Sequence, residues 1–311
     1  MSGEALRVGL IGFGAMGRRH AAALRDTAGA VLAGVADPYG ERADALGVPL
    51  VPGVGELLAL GIDYAVVACP SALHEDIGLR LAAAGVPALI EKPLATTSVA
   101  ARRLTEAFAA AGLPAAVGHV ERFNPALAGL REILGQGDLG APRQLTTHRE
   151  GPPPTRPADC GVLLDLAVHD LDAAAWITGQ DFEQLSTLTH PSPGAREDLA
   201  VLAGRLSGGT LTSHTVNRRS PYRQRTTAVL AEHGLLTADT LTSRLTLQTG
   251  ATAHTIALPD GDPLRREHAE FLALLRTGRT GNLAALAEGA RAVRLATGHT
   301  PRADPAPIPA S

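Results

Sequence analysis

The 311-residue sequence predicts an α/β protein with an N-terminal doubly wound parallel sheet and a C-terminal α+β domain that carries an open-faced, mostly antiparallel sheet. Three observations support this fold class. Short apolar segments alternate with helical stretches up to residue 120. Segments rich in Thr, Leu and Val follow between residues 184 and 257, and two helical stretches come last. We therefore expect two domains, residues 1–120 and residues 121–311, with the last helices free to pack back on the first domain.

The predicted elements of the first domain alternate between strand and helix. The strands are Leu6–Ile11, Val31–Ala36, Pro49–Val51, Tyr64–Ala68, Pro87–Glu91 and Ala115–Val120, and the helices are Met16–Asp26, Leu73–Ala84 and Ser98–Ala111. These strands are apolar at nearly every position and do not alternate with polar residues. Such strands are typical of a parallel sheet whose two faces are both covered by helices.

The predicted elements of the second part begin after residue 120. The helices are Pro125–Leu134, Leu164–Thr178, Pro263–Arg276 and Leu283–Thr297, and about six strands run from Gln184 to Ala257. Glycine-containing turns at Ser207–Gly209 and Glu232–Gly234 separate strands of this region, which favours antiparallel neighbours. A proline-rich tail begins at Pro301 and needs no ordered structure.

The composition excludes several classes of protein. Hydrophobic residues make up 45% and charged residues 19% of the chain, which indicates a globular protein. A net charge of −3 without a basic block argues against a nucleic-acid partner. No apolar run reaches the roughly 20 residues of a membrane helix, and none resembles a secretion signal, so we expect a cytoplasmic protein. Cys69 and Cys160 lie far apart without a ligand cluster, so we expect free thiols and no metal site.

A glycine-rich motif connects the first predicted strand to the first helix: Gly12, Phe13, Gly14, Ala15, Met16 and Gly17. In a βαβ unit this spacing gives a tight turn, close approach of the main chain to a pyrophosphate, and close packing of helix on strand. Asp37 ends the second strand, 20 residues after Gly17. A carboxylate there accepts hydrogen bonds from a ribose 2′-hydroxyl and repels a 2′-phosphate. The motif therefore predicts a Rossmann domain that binds NAD in preference to NADP.

Lys92 is the one lysine among 28 basic residues, and the other 27 are arginine. It follows the predicted strand that ends at Glu91, and ligands of parallel sheets bind beyond the carboxyl ends of the strands. A lysine is compact and can exchange a proton, whereas an arginine stays charged. We therefore interpret Lys92 as a catalytic residue. We expect contacts with the cofactor from Lys92 and from five neighbours: Glu91, Cys69, Pro70, Ser71 and His74.

The predicted helix Leu164–Thr178 has a high density of polar groups in an otherwise apolar pattern. Asp165 and His169 are four residues apart, so they share one helix face and can touch. A carboxylate beside an imidazole orients the ring and raises its proton affinity, which suits a general base. We therefore expect Asp165 to orient His169, and His169 to accept a proton.

In combination, Gly12–Gly17, Glu91-Lys92-Pro93 and Asp165-x-x-x-His169 resemble the motifs of the Gfo/Idh/MocA family (glucose–fructose oxidoreductase, inositol dehydrogenase and MocA). The resemblance runs through essentially the whole chain. It implies catalysis by the lysine, the aspartate and the histidine, and a second domain whose open sheet often forms oligomer contacts. We therefore expect a homodimer or homotetramer built on the strands between residues 184 and 257.

A narrower resemblance comes from Gly118–Pro125 and from Arg149–Arg156 running into Gly161–Asp165, which are similar to UDP-N-acetylglucosamine 3-dehydrogenases. It implies that the substrate is a sugar, oxidised at the C3 hydroxyl of a nucleotide-linked N-acetylhexosamine. Arg122 and Asn124 follow the last strand of the first sheet, where they would hold sugar oxygens. Arg149 and Arg156 would pair with the diphosphate, which suits a planar guanidinium. Cys160 departs from the apolar residue expected before Gly161.

In the expected reaction, His169 takes the proton of the sugar hydroxyl and Lys92 stabilises the developing alkoxide. Two other functions stay open. A dehydrogenase of inositol or of a free monosaccharide would need no contacts with a diphosphate. A non-catalytic NAD-binding sensor would need neither Lys92 nor His169, and the presence of both residues argues against it.

Overall fold

The computed structural model describes residues 4–39, 46–153, 159–190 and 196–298. Within these ranges the strands are β1 (Leu6–Ile11), β2 (Ala30–Ala36), β3 (Leu50–Val51), β4 (Tyr64–Val67), β5 (Ala88–Glu91), β6 (Ala115–Gly118), β7 (Pro142–Glu150), β8 (Phe182–Thr189), β9 (Leu199–Leu206), β10 (Leu211–Asn217), β11 (Gln224–Ala231), β12 (Leu235–Asp239), β13 (Arg244–Thr249), β14 (Thr252–Ile256) and β15 (Ala284–Ala285). The α-helices are α1 (Ala15–Arg25), α2 (Val54–Ala59), α3 (His74–Ala83), α4 (Ser98–Ala110), α5 (Pro125–Gly135), α6 (Val168–Thr178), α7 (Pro263–Thr277) and α8 (Leu286–Ala296). Shorter turns of helix are the 3-10 segments Ser71–Leu73 and Val120–Phe123 and the π-helical segment Leu163–Ala167.

The first sheet has the strand order β15-β6-β5-β4-β1-β2-β3, and all neighbours are parallel except β15, which runs antiparallel to β6. Apolar side chains leave both faces of the sheet, so two separate clusters are buried. Leu57, Leu81 and Leu104 from α2, α3 and α4 pack on one face. Leu24 from α1 and Phe271 from α7 pack on the other. Burial of each such leucine contributes about 2 kcal/mol relative to exposure, and the two-sided burial explains why the strands are apolar throughout.

The second sheet has the strand order β14-β13-β12-β11-β7-β10-β9-β8. Its neighbours are antiparallel except for β7 and β10, which are parallel. Helices α5 and α6 contact one face of this sheet, and the other face is open. The predicted turns at Ser207–Gly209 and Glu232–Gly234 connect antiparallel strands as expected. The two sheets together confirm the predicted fold class.

Strand β7 was not predicted, although it is central in the second sheet. Its inward-facing residues are Leu145, Thr147 and Arg149, and all three are buried. Two of these three side chains are polar, so the strand lacks the apolar alternation that would have revealed it. The buried polar side chains have partners from other elements: Thr147 binds His214, and Arg149 forms ion pairs.

The C-terminal segment returns to the first domain. Helix α7 contacts α1, helix α8 contacts α4 as well as α6, and β15 extends the first sheet at its β6 edge. Residues 263–296, which form α7, β15 and α8, therefore complete the layers around the first sheet. The proline-rich tail from Pro301 lies outside the described residues.

Neither a membrane-spanning helix nor a metal-binding cluster occurs in the described ranges. They contain no helix that is long and apolar enough to cross a membrane. They also contain no group of three His, Cys, Asp or Glu side chains that could hold a metal ion. Cys69 and Cys160 are both free thiols.

Candidate active site

The glycine-rich motif connects β1 to α1 at the carboxyl end of the first sheet. Gly12 has a φ of +91°, and a Cβ atom there would lie 2.7 Å from the main chain of Ala68 and Cys69. A Cβ atom on Gly17 would overlap the carbonyl oxygen of Gly12. A Cβ atom on Gly14 would meet nothing within 4 Å. The first and third glycines are therefore required by the fold, and the second leaves open space where phosphates can approach the main chain.

Helix α1 begins with Ala15 and Met16, directly after this open space. Its N-cap residue is Gly14, which has no side chain that could bind the first N–H groups of the helix. The first N–H groups of the helix therefore face the space with the positive end of the helix dipole. Asp37 lies beside it, because its carboxylate accepts hydrogen bonds from the main-chain N–H of Phe13 at 2.6 Å and of Tyr39 at 2.8 Å. These residues fit a dinucleotide, with the pyrophosphate at the helix and a ribose hydroxyl at the carboxylate.

The loop after β4 is fixed by two contacts. The ring of His74 is buried and lies 3.1 Å from the carbonyl oxygen of Cys69 and 2.9 Å from that of Pro93. It therefore ties this loop to the loop after β5. Ser71 donates hydrogen bonds from its main-chain N–H and its hydroxyl to the carboxylate of Asp159, at 2.8 and 2.9 Å. The side chain of His74 thus points into the protein, and Ser71 connects the first domain to the second.

Neither cysteine is a reactive thiol. Burial raises the pKa of Cys69 to about 12 and the pKa of Cys160 to about 11, so both stay protonated at neutral pH. Pro70, which follows Cys69, is exposed. We therefore expect Cys69 and Pro70 to border the cofactor through the shape of the loop and not through chemical reactivity.

Lys92 bridges the two domains at the carboxyl end of β5. Its Nζ atom donates to the carboxylate of Asp165 and to the main-chain carbonyl of Asp165, both at 2.9 Å. Arg218, which follows β10, binds the other carboxylate oxygen of Asp165. Burial alone would raise the pKa of Asp165, but Lys92 and Arg218 overcome this effect and lower it to about 2. Asp165 is therefore ionised and holds the lysine in place.

His169 lies in the first turn of α6 and is buried. Burial lowers its pKa well below 6.5, and the positive charges of Lys92 and Arg149 lower it further. The imidazole is therefore neutral at neutral pH and can accept a proton. Its Nδ1 atom is buried and has no hydrogen-bond partner among the described residues. The ring of His119 lies edge-on to it, with ring centres 6.2 Å apart.

The predicted contact between Asp165 and His169 does not occur. The segment Leu163–Ala167 is a π-helical turn, whose hydrogen bonds run over five residues, so residues four apart do not stack as they do in an α-helix. The hydrogen bonds of the Asp165 carboxylate to described residues go to Lys92 and Arg218. The prediction that Asp165 orients His169 was therefore wrong, and the aspartate positions the lysine instead.

Glu91 lies behind the cleft and not in it. One carboxylate oxygen is 2.9 Å from Nε2 of His20, whose Nδ1 is 3.0 Å from Nε2 of His268. Burial would raise the pKa of Glu91, but the hydrogen bond and the charge of His20 lower it. The other oxygen accepts a hydrogen bond from the main-chain N–H of Lys92 at 3.1 Å. The side chain of Glu91 thus supports the end of β5 from inside the protein, and its contact with the cofactor stays a prediction.

Arg122 and Asn124 are also structural residues. Arg122 is 2% exposed and binds Asp172 at 2.6 and 2.9 Å and Glu288 at 2.9 Å. Asn124 is the N-cap of α5, and its side-chain oxygen accepts a hydrogen bond from the N–H of Ala126 at 3.0 Å. Because these polar atoms are buried and bonded, the predicted contacts of both residues with the sugar were wrong.

Arg149 is buried in the same way. Its guanidinium lies 2.9 Å from the carboxylate of Asp170 and 2.8 Å from that of Glu121. The planar fork that would bind a diphosphate is occupied by these two carboxylates, so this prediction was wrong as well. Arg156, the other residue predicted at the diphosphate, lies outside the described residues.

Arg218 and His119 are among the residues around the cleft that were not predicted. Arg218 reaches Asp165 across 53 positions of sequence, and no local pattern indicates such a contact. His119 directly follows β6 at the carboxyl end of the sheet, as Lys92 follows β5. The strand-end rule that singled out the lysine would therefore have found this histidine too.

Two parts of the chain match the models of a known protein family. Residues 6–119 match the GFO_IDH_MocA model, described as an oxidoreductase family with an NAD-binding Rossmann fold. Residues 127–237 match the GFO/IDH/MocA C-terminal domain. The chain belongs to the Gfo/Idh/MocA family. It is therefore an NAD-binding oxidoreductase, as its glycine loop and Asp37 indicate.

Relatives of this Gfo/Idh/MocA member act on more than one kind of molecule. The chain is 31% identical over 295 residues to an inositol 2-dehydrogenase of Streptomyces avermitilis, covering 89% of this chain and 86% of the relative. It is 33% identical over 225 residues to a UDP-N-acetylglucosamine 3-dehydrogenase of Acidithiobacillus ferrooxidans, covering 70% of each chain. The solved structure of the UDP-N-acetylglucosamine 3-dehydrogenase GnnA from that organism superposes with a TM-score of 0.86 at 28% identity, covering 95% of this chain and 97% of that one.

Proposed function

We propose that this oxidoreductase transfers a hydride to NAD from a sugar hydroxyl, namely C3 of a nucleotide-linked N-acetylhexosamine such as UDP-N-acetylglucosamine. One observation carries the proposal. Lys92, which is held by the ionised Asp165, and the neutral His169 both lie at the carboxyl end of the first sheet, where the glycine loop also lies. The similarity to GnnA, which extends over nearly the whole chain, supports the choice of substrate.

The glycine loop and Asp37 would hold the cofactor in the open space at the start of α1. When bound, NAD supplies the acceptor for the hydride. The protein has to supply a proton acceptor, a positive charge near the reacting oxygen and a fixed orientation of the sugar. His169 and Lys92 meet the first two needs.

His169 suits the role of proton acceptor because its imidazole is neutral. Of its two ring nitrogens, Nδ1 is buried. We therefore assign the proton of the sugar hydroxyl to the Nε2 atom. The low pKa of the ring favours return of that proton in the reverse reaction, in which a carbonyl is reduced.

Lys92 suits the role of the positive charge. Its Nζ atom uses two of its three N–H donors on Asp165, which leaves one donor for the substrate oxygen. Because Asp165 is itself fixed by Arg218, the amine is held in a defined position before the substrate arrives. A donor placed in advance stabilises a developing alkoxide without a cost of reorganisation.

A second candidate function is the oxidation of inositol or of a free monosaccharide, and the similarity to an inositol 2-dehydrogenase over 89% of the chain favours it. The same catalytic residues would serve both reactions. The two functions differ at the cleft wall, because a polyol carries no diphosphate and needs no positive charge outside the reacting centre.

A comparison of initial rates separates the two functions. Purified protein is mixed with NAD and either UDP-N-acetylglucosamine, a dTDP-sugar or myo-inositol, and NADH is followed by its absorbance. We expect the highest kcat/KM with UDP-N-acetylglucosamine and loss of the signal in His169→Gln. Turnover of myo-inositol alone would show the second function, and no NADH from any of the three would contradict the proposal.

A further inference from the structure

A cavity of about 660 Å³ lies between the start of α1 and the end of the second sheet that faces it. Its walls include Ala15 and Arg18 from α1, Asp165 from the π-helical turn, and Arg218, Arg223 and Arg225 from the second sheet. The cavity therefore connects the glycine loop with the aspartate that holds the catalytic lysine.

The register of the second sheet brings its three arginines together. Arg218 directly follows β10, which runs parallel to β7, so both strands end at the same edge. Arg225 is the second residue of β11 and lies opposite Arg149, near the end of β7. Arg223 directly precedes β11. All three arginines thus come from one short connection and the strand ends beside it.

The positive charge of the cavity is not balanced by its own residues. Four of the lining residues are arginines, and Asp165 is the one carboxylate among the described lining residues. That carboxylate is already bound by Lys92 and Arg218. The structure therefore leaves at least two guanidinium groups without an anionic partner in the cavity.

Arg223 and Arg225 are these two groups. Arg225 donates to the main-chain oxygens of Glu150 and Gln224 through one nitrogen, Nη1, and makes no ion pair with a described residue. Arg223 is exposed and makes neither a hydrogen bond nor an ion pair within the described ranges. Burial and the nearby Arg149 lower the pKa of Arg225, as expected where positive charges are close together.

A planar guanidinium forms paired hydrogen bonds with phosphate oxygens, so two unpaired arginines in one cavity favour a diphosphate. The pyrophosphate of the cofactor has its own place at the N-terminus of α1, on the opposite wall. We propose that Arg223 and Arg225 bind the diphosphate of the nucleotide-sugar substrate, whose sugar then lies toward Asp165 and Lys92. This inference rests on the proposed nucleotide-sugar function. It assigns to these arginines the role that Arg149 does not fill.

The test measures binding without turnover. UDP is the probe for a substrate diphosphate, and NAD is the probe for the cofactor; both are titrated calorimetrically into the full-length protein. The variants are Arg223→Ala, Arg225→Lys and Arg225→Ala, and the matched control is Arg265→Ala, an exposed arginine on α7. Because Arg223 has no partner among the described residues, its removal leaves the fold intact, and thermal unfolding checks this for every variant.

We expect Arg223→Ala and Arg225→Ala each to raise the Kd for UDP about tenfold, the loss of one or more charge-assisted hydrogen bonds, with a smaller rise for Arg225→Lys. The Kd for NAD should change less than about twofold, and Arg265→Ala should change neither value. A rise for NAD without a rise for UDP would assign the arginines to the cofactor and overturn the inference. A wild-type protein that does not bind UDP would overturn it too.

These outcomes are independent of the proposed activity. A protein that binds UDP through the two arginines and yet produces no NADH would keep this binding site and lose the proposed function. A protein that oxidises a polyol and does not bind UDP would lose the binding site and remain a dehydrogenase.

Discussion

Lys92 donates two hydrogen bonds of 2.9 Å to a single residue, Asp165: one to its carboxylate and one to its main-chain carbonyl. The first residue follows β5 of the first sheet, and the second lies in the π-helical turn before α6. The pair therefore fixes the amine of one domain at the π-helical turn of the other. A guanidinium is larger and planar, so it cannot replace the amine in both hydrogen bonds at the same positions.

Replacement of Lys92 should therefore lower turnover severely. We expect Lys92→Arg and Lys92→Met to lower kcat by about 10²-fold or more, the usual scale for a lost acid/base group. The affinity for NAD should hardly change, because the glycine loop and Asp37 provide that contact. Steady-state kinetics and NAD titration of each variant measure the two effects. A Lys92→Arg enzyme with nearly normal kcat would show that only the charge matters.

Arg122 should act on stability and not on catalysis. Removal of its side chain leaves Asp172 buried without its ion pair, which costs about 3 to 5 kcal/mol of unfolding free energy. We expect Arg122→Ala to lower the urea midpoint strongly, whereas KM of the remaining folded enzyme stays the same. Arg102→Ala is the control, because the exposed pair of Arg102 and Glu106 contributes at most about 0.5 kcal/mol. A raised KM with unchanged stability would return Arg122 to the substrate site.

The candidate site could be predicted from the sequence only where its chemistry is local. Gly12, Gly14 and Gly17 satisfy their constraints within one turn, so their spacing is enough. Arg122 and Arg149 were predicted to contact the substrate because the neighbouring sequence does not reveal the carboxylates that bind them. Those partners come from other elements, such as Glu288, which is 166 positions from Arg122.

Local sequence patterns also predicted the secondary structure only in part. Asp165 and His169 have the spacing of one helical face, but the π-helical turn before α6 separates them. Strand β7 was not predicted because Thr147 and Arg149 occupy inward positions that are usually apolar. In both cases the tertiary contacts of polar side chains outweigh the local pattern.

Asp37 should determine the choice between NAD and NADP. Its carboxylate is fixed by the N–H groups of Phe13 and Tyr39, so it cannot easily turn away from a 2′-phosphate. We expect the Kd for NADP to exceed that for NAD by about tenfold or more. Asp37→Asn removes the charge and keeps a carbonyl acceptor for the loop. In this variant the Kd values for NADP and NAD should therefore be closer together. Fluorescence titration of both cofactors decides it, and tighter binding of NADP by the wild type would contradict the prediction.

The open face of the second sheet should form an oligomer contact. Leu188 is 75% exposed and Leu211 52%, and Val201, which pairs with Leu188, is also exposed on this face. An apolar sheet face of this kind normally has a partner. We predict a homodimer or homotetramer, and Val201→Asp should shift it toward monomer in light scattering at micromolar concentration. The control is Val99→Asp, an exposed apolar position on α4. A monomeric wild type would exclude the contact.

His214 should make stability depend on pH. It is fully buried, its Nδ1 is bonded to Thr147, and burial lowers its pKa from 6.5 to about 4. A lowered pKa in the folded state means that its contribution is complete above pH 6.5 and is lost as the pH falls toward 4. The loss amounts to roughly 3 kcal/mol from this residue.

Urea unfolding at pH 7.5 and at pH 4.5 measures this contribution of His214. We expect His214→Asn to show a smaller fall in unfolding free energy between the two pH values than the wild type. His254→Asn, at an exposed histidine, should show the same fall as the wild type. Equal slopes for all three proteins would mean that other groups control the acid sensitivity.

The short strand β15 has a consequence for protein synthesis. It pairs with β6 although 166 positions separate Ala284 from Gly118, and helix α7 covers α1 on the same domain. At a ribosomal rate of about 5 to 20 residues per second, the nascent NAD-binding domain waits roughly 10 to 30 s for these elements. During that interval Leu24 and the rest of the apolar cluster that Phe271 later covers stay accessible to chaperones. A gene truncated after residue 120 would therefore encode a product that remains in this unfinished state.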